Sequence, residues 1–392
     1  NGSKVVDTGP CGNRPIQDNA CTVAGEPYQC VVVPGSLVLA EDQPSPREGC
    51  LGGAESWGTC DGGAFLCKAP RPLPRTRLHT VYNVQASKYF DWQVRYMHYW
   101  FRKAGQAGPI TRLLSASNPD PLAASIDTYL SPPYPKLSTD SYTPYNKPFA
   151  IRHWLMNSGV RADYIVIVDP DNVFLSPTVI EASDGTVHVK LGNGRHEVVS
   201  RGRPFAQKGY MDWVAGGPFE SLTRKYCPEC GPRADSLAVP IVIHRLDLEA
   251  MAGEWLTITE SIRADRGAWK SEWNDPNFAL AWTVEMYGYI FAAARHGIKH
   301  TIGPIQGGVQ EIVGFNKKLK APMLHYSLKL EMQHGKMWHK YNVDAGSNIP
   351  DPAEASDEVT ARLMRELLDA RDHAPAANRT SWPFEGYFAA DP

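Results

Sequence analysis

The sequence predicts an α/β protein with a parallel-type central sheet. Three observations predict it. Short apolar runs rich in β-branched residues recur along the chain, the strongest being Tyr164-Ile-Val-Ile-Val168. Between them lie longer stretches with helical periodicity, such as Tyr89 to Ala104. The two kinds alternate, which is the pattern of strand–helix–strand units.

The elements follow in order. Residues 1–76 are rich in Gly, Pro and Cys and show no regular period, so they predict a loop-rich N-terminal extension held by disulfides. Ala69-Pro-Arg-Pro-Leu-Pro-Arg75 is a stiff extended linker. The α/β pattern then occupies residues 77–345. Leu78 to Val84 is a buried strand, and Tyr89 to Ala104 is a helix that Gly105 stops. Ile110 to Ser115 is a second strand, and residues 116–145, with many Pro, Ser and Asp, are loop. Lys147 to Ser158 is a helix with Pro148 in its first turn. Val187-His-Val-Lys190 and His196-Glu-Val-Val-Ser200 flank Gly192-Asn-Gly194 as a hairpin. Val239 to Ile243 is another strand, Leu246 to Asp265 and Ala279 to His296 are helices, and 300–328 returns to short strands. A C-terminal segment, 346–392, holds a last helix. Ser356 caps it, Val359, Leu363 and Leu367 form its apolar stripe, and the tail after Ala374 wraps the surface.

Six of the eight cysteines fall in the first 67 residues: Cys11, Cys21, Cys30, Cys50, Cys60 and Cys67. Their spacing is too loose for zinc pairs, which favours disulfides with connectivity left open. Cys227-Pro-Glu-Cys230 stands alone, so a disulfide is favoured over half a zinc site. The formal net charge is −2, which excludes a basic footprint for nucleic acid. No apolar run of transmembrane length occurs, so a leader or anchor is expected to be absent or removed, and disulfides favour removal. Asn1-Gly-Ser3 and Asn378-Arg-Thr380 fit the N-glycosylation pattern.

Asp169-Pro-Asp171 follows directly on the strongest strand. Ligands bind at strand ends in open α/β sheets. Two carboxylates spaced i and i+2 across a restricting proline can face one hard cation, Mn²⁺ or Mg²⁺. The bland reading is an acidic turn. His325, in the apolar run Pro322-Met-Leu-His-Tyr326, is a candidate third ligand; by itself a buried structural histidine is the plainer reading.

These residues resemble the plant and algal peptidyl glycosyltransferases that modify hydroxyproline-rich proteins, from about His79 to His325. The hydroxyproline O-arabinosyltransferases are matched at Trp92-Gln93, Arg95, Met97, Tyr99-Trp100-Phe101, Asn146-Lys-Pro148, Trp154-Leu155, Lys225-Tyr-Cys-Pro-Glu229 and Pro240-Ile-Val-Ile243. The peptidyl serine α-galactosyltransferases are matched at His79-Thr-Val-Tyr82, Phe90-Asp-Trp-Gln93, Gly202-Arg-Pro-Phe-Ala206 and Glu285-Met-Tyr-Gly-Tyr289. The first branch is favoured by its ungapped register, although that family carries Glu-Pro-Asp where this chain has Asp-Pro-Asp.

The resemblance implies a GT-A-type fold, whose Rossmann-like sheet binds a nucleotide sugar, and a metal-dependent retaining transfer. Asp169, Asp171 and His325 would bind Mn²⁺ (or Mg²⁺). Thr80, Val81 and Tyr82, at the end of the first strand, would meet the uracil and ribose of a UDP-sugar donor. Asn146 and Lys147 would meet the sugar or its phosphates, since helix N-termini favour anions. Glu285 would orient the acceptor or stabilise the sugar cation, with a structural salt bridge as the alternative. Asp275 and Arg203 are weaker candidates. Trp100, Trp282 and Tyr287 would line a groove for a hydroxyproline-rich, or serine-containing, peptide. The resemblance places such an enzyme in the Golgi or ER lumen, anchored as a type II membrane protein through a segment absent from this sequence. Two other classes compete: a non-catalytic sugar- or peptide-binding protein, and a metal-dependent hydrolase.

Overall fold

The computed structural model describes residues 20–23, 26–32, 56–60, 63–68, 77–140, 142–209, 218–231, 234–265, 280–314, 316–326, 329–342 and 348–374. The chain divides into two compact units, Asn1–Arg75 and Thr76–Pro392. The first contains four strands, β1 (Ala20–Val23), β2 (Glu26–Val32), β3 (Ser56–Cys60) and β4 (Gly63–Lys68), in one antiparallel sheet of order β1-β2-β4-β3. The backbone register sets Cys30 opposite Cys67. Cys11, Cys50, the proline linker, both glycosylation patterns and the tail after Ala374 lie outside the described residues.

The second unit runs β5 (Leu78–Gln85), α1 (Lys88–Lys103), β6 (Ile110–Ser115), β7 (Thr128–Ser131), α2 (Asn146–Asn157), β8 (Tyr164–Ile167), β9 (Asn172–Phe174) and β10 (Val179–Glu181). It continues through β11 (Val187–Lys190), β12 (His196–Val199), β13 (Phe205–Lys208), α3 (Pro218–Tyr226), β14 (Leu237–His244), α4 (Arg245–Ala264) and α5 (Leu280–Arg295). It closes with β15 (Thr301–Gly303), β16 (Gln310–Ile312), β17 (Met323–His325), β18 (Lys329–Glu331), β19 (Met337–His339) and α6 (Glu358–His373).

A seven-stranded sheet, ordered β15-β13-β14-β8-β5-β6-β7, forms the centre. Strands β8, β5, β6 and β7 are mutually parallel, while β14 joins β8 antiparallel. This is the expected parallel-rich α/β sheet with one reversed strand, β14, inside it. Successive side chains of a strand point to opposite faces. Ile165 and Ile167 therefore pack with α2, α4 and α5, whereas Tyr164, Val166 and Val168 pack with α1 and α6. Burial on both faces explains why β8 is continuously apolar and shows no alternation.

Several expectations need correction. β7 lies inside the stretch expected to be loop; Thr128-Tyr-Leu-Ser131 is short, partly exposed and followed at once by Pro132-Pro133, so it carries no clear pattern. β5 runs on to Gln85, so Thr80–Tyr82 sit in mid-strand rather than at its end. The cap of the last helix is Asp357, whose carboxylate accepts from the Thr360 amide; the Ser356 hydroxyl donates instead to the Glu331 carbonyl. The stripe Val359, Leu363 and Leu367 is fully buried as expected. Gly105 and Gly194 take the positive φ that a helix stop and a hairpin turn require. Cys227 and Cys230 are joined in a disulfide after α3.

Helices α4 and α5 cross closely at Gly288, where an added Cβ would lie 2.1 Å from Thr259 Oγ1 and 2.9 Å from the Trp255 carbonyl oxygen. This crossing fixes the height of Glu285 on the next turn, because the Trp255 indole donates to the Glu285 carbonyl at 2.6 Å. Gly288→Ala is expected to force the helices apart and cost about 1–3 kcal/mol. Urea unfolding measures this, and an unchanged midpoint would show that the helices separate freely.

Candidate active site

The acidic turn grows out of the end of β8. The ladder continues one residue past it, with the Val168 amide donating to the Val81 carbonyl at 3.1 Å. The chain then turns through Asp169-Pro170-Asp171. The Asn172 amide donates to the Asp169 carbonyl at 3.1 Å, and the Asn172 side-chain oxygen accepts from the Asp169 amide at 2.9 Å. Asn172 is fully buried and also donates to Gln310, which bonds the Val239 carbonyl. This asparagine, which locks the turn, was not singled out from the sequence. Its only signal is its place directly after the second aspartate.

Strand pairing brings up the histidine. β17 lies antiparallel to β9 with His325 opposite Asn172, and the Tyr326 amide donates to the Asp171 carbonyl at 3.2 Å. Ligand atoms of Asp169, Asp171 and His325 all lie within 4.8 Å of one another. His325 Nε2 is 3.2 Å from Asp171 Oδ1, yet that buried oxygen has no donor aligned on it as a hydrogen bond. Two carboxylates and an imidazole around an under-satisfied buried oxygen fit a divalent cation with oxygen and nitrogen ligands.

Two lysines complete the charge balance. Lys147, in the first turn of α2, lies 2.9 Å from Asp169 Oδ1 and 3.2 Å from Glu285 Oε1. Lys340, just after β19, lies 2.6 Å from Asp171 Oδ2. Its ammonium also sits over the rings of Tyr326 and Tyr89, at 5.5 and 5.9 Å. Lys340 was missed because it lies in a short polar stretch, His339-Lys-Tyr341, with no periodicity. Burial alone would favour the neutral lysines, but the neighbouring carboxylates hold both ammonium groups above the ordinary lysine range. Burial alone would also raise Asp171, but Lys340 and His325 hold its carboxyl well below the usual range.

Glu285 occupies the salt-bridge alternative. Its carboxylate accepts from the Tyr142 hydroxyl at 2.6 Å as well as from Lys147, and its side chain is 5% exposed. Burial pushes its carboxyl up, against the pull of Lys147. Tyr142 is itself held under the Arg263 guanidinium, which bonds Asp140 through two nitrogens.

The other predicted residues divide. Asn146 sits beside Lys147, its side-chain oxygen accepting from the Tyr134 amide and its Nδ2 buried without a partner. Thr80, Val81 and Tyr82 lie level with the root of the acidic turn, but all three are fully buried. Trp100 is a core residue; its indole donates to the Glu366 carbonyl and its ring packs on Tyr96 and Tyr326. Tyr287 is likewise buried, against Phe219 and Phe291. Arg203 is exposed and precedes the end of β13 that pairs toward His244 and Tyr164, level with the start of β8 and so at the opposite strand ends from Asp169. Asp275 and the side chain of Trp282 lie outside the described residues.

Residues 78–189 and 209–302 match the hydroxyproline O-arabinosyltransferase family N-terminal domain. A hydroxyproline O-arabinosyltransferase of Pisum sativum is 30% identical over 77% of this chain and 88% of its own length. Another from Medicago truncatula is 28% identical over 83% of this chain and 90% of its own. A peptidyl serine α-galactosyltransferase of Chlamydomonas reinhardtii is 29% identical over 69% of this chain but only 37% of its own. Among solved structures, a galactosyltransferase in complex with donor and acceptor sugar analogs aligns at TM-score 0.40 and 8% identity, over 74% of this chain and 95% of its own. The protein is a glycosyltransferase. Within that class it belongs to the hydroxyproline O-arabinosyltransferase family.

If Glu285 acts through Lys147, the two should not be independent. Lys147→Met is expected to lower kcat for sugar transfer by about 10²–10³-fold, as loss of a charge-stabilising donor does. Glu285→Gln should cost about tenfold, and the double variant should be no worse than Lys147→Met alone. Multiplying losses in the double variant would show that Glu285 meets substrate directly.

Proposed function

We propose that the protein transfers L-arabinofuranose from UDP-β-L-arabinofuranose to the hydroxyl of hydroxyproline in secreted or cell-wall proteins, with retention at the anomeric carbon. The observation that carries this is the convergence of Asp169, Asp171 and His325 with Lys147 and the buried Lys340 in a member of this family. These three residues would hold Mn²⁺ or Mg²⁺, which when bound neutralises a nucleotide diphosphate and so eases its departure. Lys147 and Lys340 are placed to bind phosphate oxygens beside it.

In the proposed reaction the bond from the anomeric carbon to the UDP oxygen breaks. A new bond forms from that carbon to the acceptor oxygen on the same face. The acceptor proton passes to the leaving phosphate. This route needs no strong protein base. In keeping with that, each of Asp169, Asp171 and Glu285 is already engaged by a lysine. The protein then contributes positioning and charge stabilisation. The GT-A arrangement, with the donor over the strand ends near Thr80–Tyr82 and Asn146, belongs to the same reading. So does action in the lumen of the secretory pathway, supported by the Cys227–Cys230 disulfide. No described helix is long and apolar enough to cross a membrane.

A second reading, galactose transfer to peptidyl serine, is favoured by the likeness to the Chlamydomonas enzyme and shares the same metal ligands. The deciding assay offers a hydroxyproline-rich and a serine-rich peptide, with Mn²⁺ and either UDP-arabinofuranose or UDP-galactose, and reads the product masses. A pentose on the first peptide is the expected result. A hexose on the second would replace the donor and acceptor assignment. Separately, Asp171→Asn should weaken Mn²⁺-dependent UDP binding by about 100-fold while the thermal melt stays close to that of the parent. Retained affinity in calorimetry would remove Asp171 from the metal site.

A further inference from the structure

We infer that the cleft beside the β18–β19 hairpin is where the acceptor polypeptide docks, as an extended hydroxyproline-rich segment. The inference rests on the transferase reading above. The cleft has a volume of about 600 Å³ and is lined in part by Met337, Trp338, Tyr341 and Pro350. Met337 and Tyr341 are 47% and 49% exposed, two of only six large apolar side chains so exposed among the described residues. Their meeting in one concavity is what separates a binding surface from scattered exposure.

The cleft is built to be rigid. Trp338 is buried, and its indole donates to the Asn348 carbonyl at 3.2 Å, which fixes the ring. Tyr341 is braced against Tyr89, with ring centres 4.5 Å apart. The cleft also neighbours the candidate active site through Tyr341. Tyr341 directly follows Lys340, whose ammonium contacts Asp171 and lies over the Tyr89 ring. A chain seated on Tyr341 therefore lies next to the acidic turn.

Charge chooses the occupant. The rim lysine, Lys336, is paired with Glu354 at 2.9 Å, so the cleft offers no free excess of either sign at that point. A nucleotide or an acidic peptide would gain little there. An uncharged chain rich in pyrrolidine rings suits it, because such chains hold an extended helix in advance and pack their rings on aromatic faces. The cleft thus supplies what the metal site cannot, namely recognition of the polypeptide around the reacting hydroxyl.

A fluorescein-labelled oligo-hydroxyproline peptide, titrated with the full chain and followed by anisotropy, tests the assignment. Tyr341→Ala and Met337→Asp are expected to weaken binding by about tenfold or more each. Val198→Ala, an equally exposed change on β12, should leave it within about twofold. Both cleft positions are half exposed, so thermal melts should match the parent. Binding that is absent in the parent, or unchanged in both cleft variants, overturns the cleft assignment. The transferase reading fails separately: a peptide held by the cleft that receives no sugar from any UDP-sugar would refute that reading and leave the cleft standing.

Discussion

Two carboxylates that share a small, poorly exposed volume repel each other, and the second unit of this protein is arranged to offset that repulsion. Asp169 and Asp171 are thrown together because β8 is buried on both faces and ends abruptly at a proline turn. Their charge is compensated by groups from distant parts of the chain: Lys147 from the start of α2, His325 from β17 and Lys340 from the turn after β19. Remove any of these and an anion is left with too few partners in a low-dielectric setting, which is costly. The sheet, the helix start and the β17–β9 pairing are thus held to one another through the charge they share.

The supports of those compensating groups are themselves packed. Lys147 is steered by Glu285, and Glu285 by Tyr142 and the α4–α5 crossing at Gly288. His325 is steered by its neighbour Tyr326, whose ring lies among Trp92, Trp100 and Trp338. Trp100 reaches on to α6 through the Glu366 carbonyl, and Tyr99 and Lys103 bind Asp369 on the same helix. Trp100, expected from the sequence as part of an acceptor platform, is instead scaffold behind His325, while Tyr287 packs in the other core layer. That is a different way for an aromatic residue to matter, and burial is what distinguishes the two.

How much of this was legible depended on how local the signal is. The β8 strand and the acidic turn are contiguous, so their chemistry is visible in the eight residues Tyr164 to Asp171. His325 could be nominated, but only strand pairing across more than a hundred residues places it beside Asp171. Lys340 had no local signal at all, since its role comes from where β19 ends. Asp357 and Ser356 are both good caps by residue type, and only the backbone turn chooses between them. Arg203 lies at the strand ends away from the acidic turn, and motif resemblance carries no information about which end of a sheet a residue occupies. β7 was hidden by its shortness and by the prolines that follow it. The α/β class survived all of these errors because it rests on alternation along the whole chain.

The paired lysines also bear on why such a site can be assembled before its ligands arrive. On the proposed reading, cation and diphosphate bring equal and opposite charge, so their joint entry leaves the local balance unchanged. The carboxylates exchange ammonium partners for the cation, and the ammonium groups exchange carboxylate partners for phosphate. No charge is left bare in either state, and little reorganisation of the fold is demanded, because each group moves between partners that are already neighbours. A site that relied on the cation alone to neutralise Asp169 and Asp171 would be strained without it. One with spare lysines and no carboxylates would hold diphosphate without needing the cation. On that reading the double pairing would make binding of each favour binding of the other.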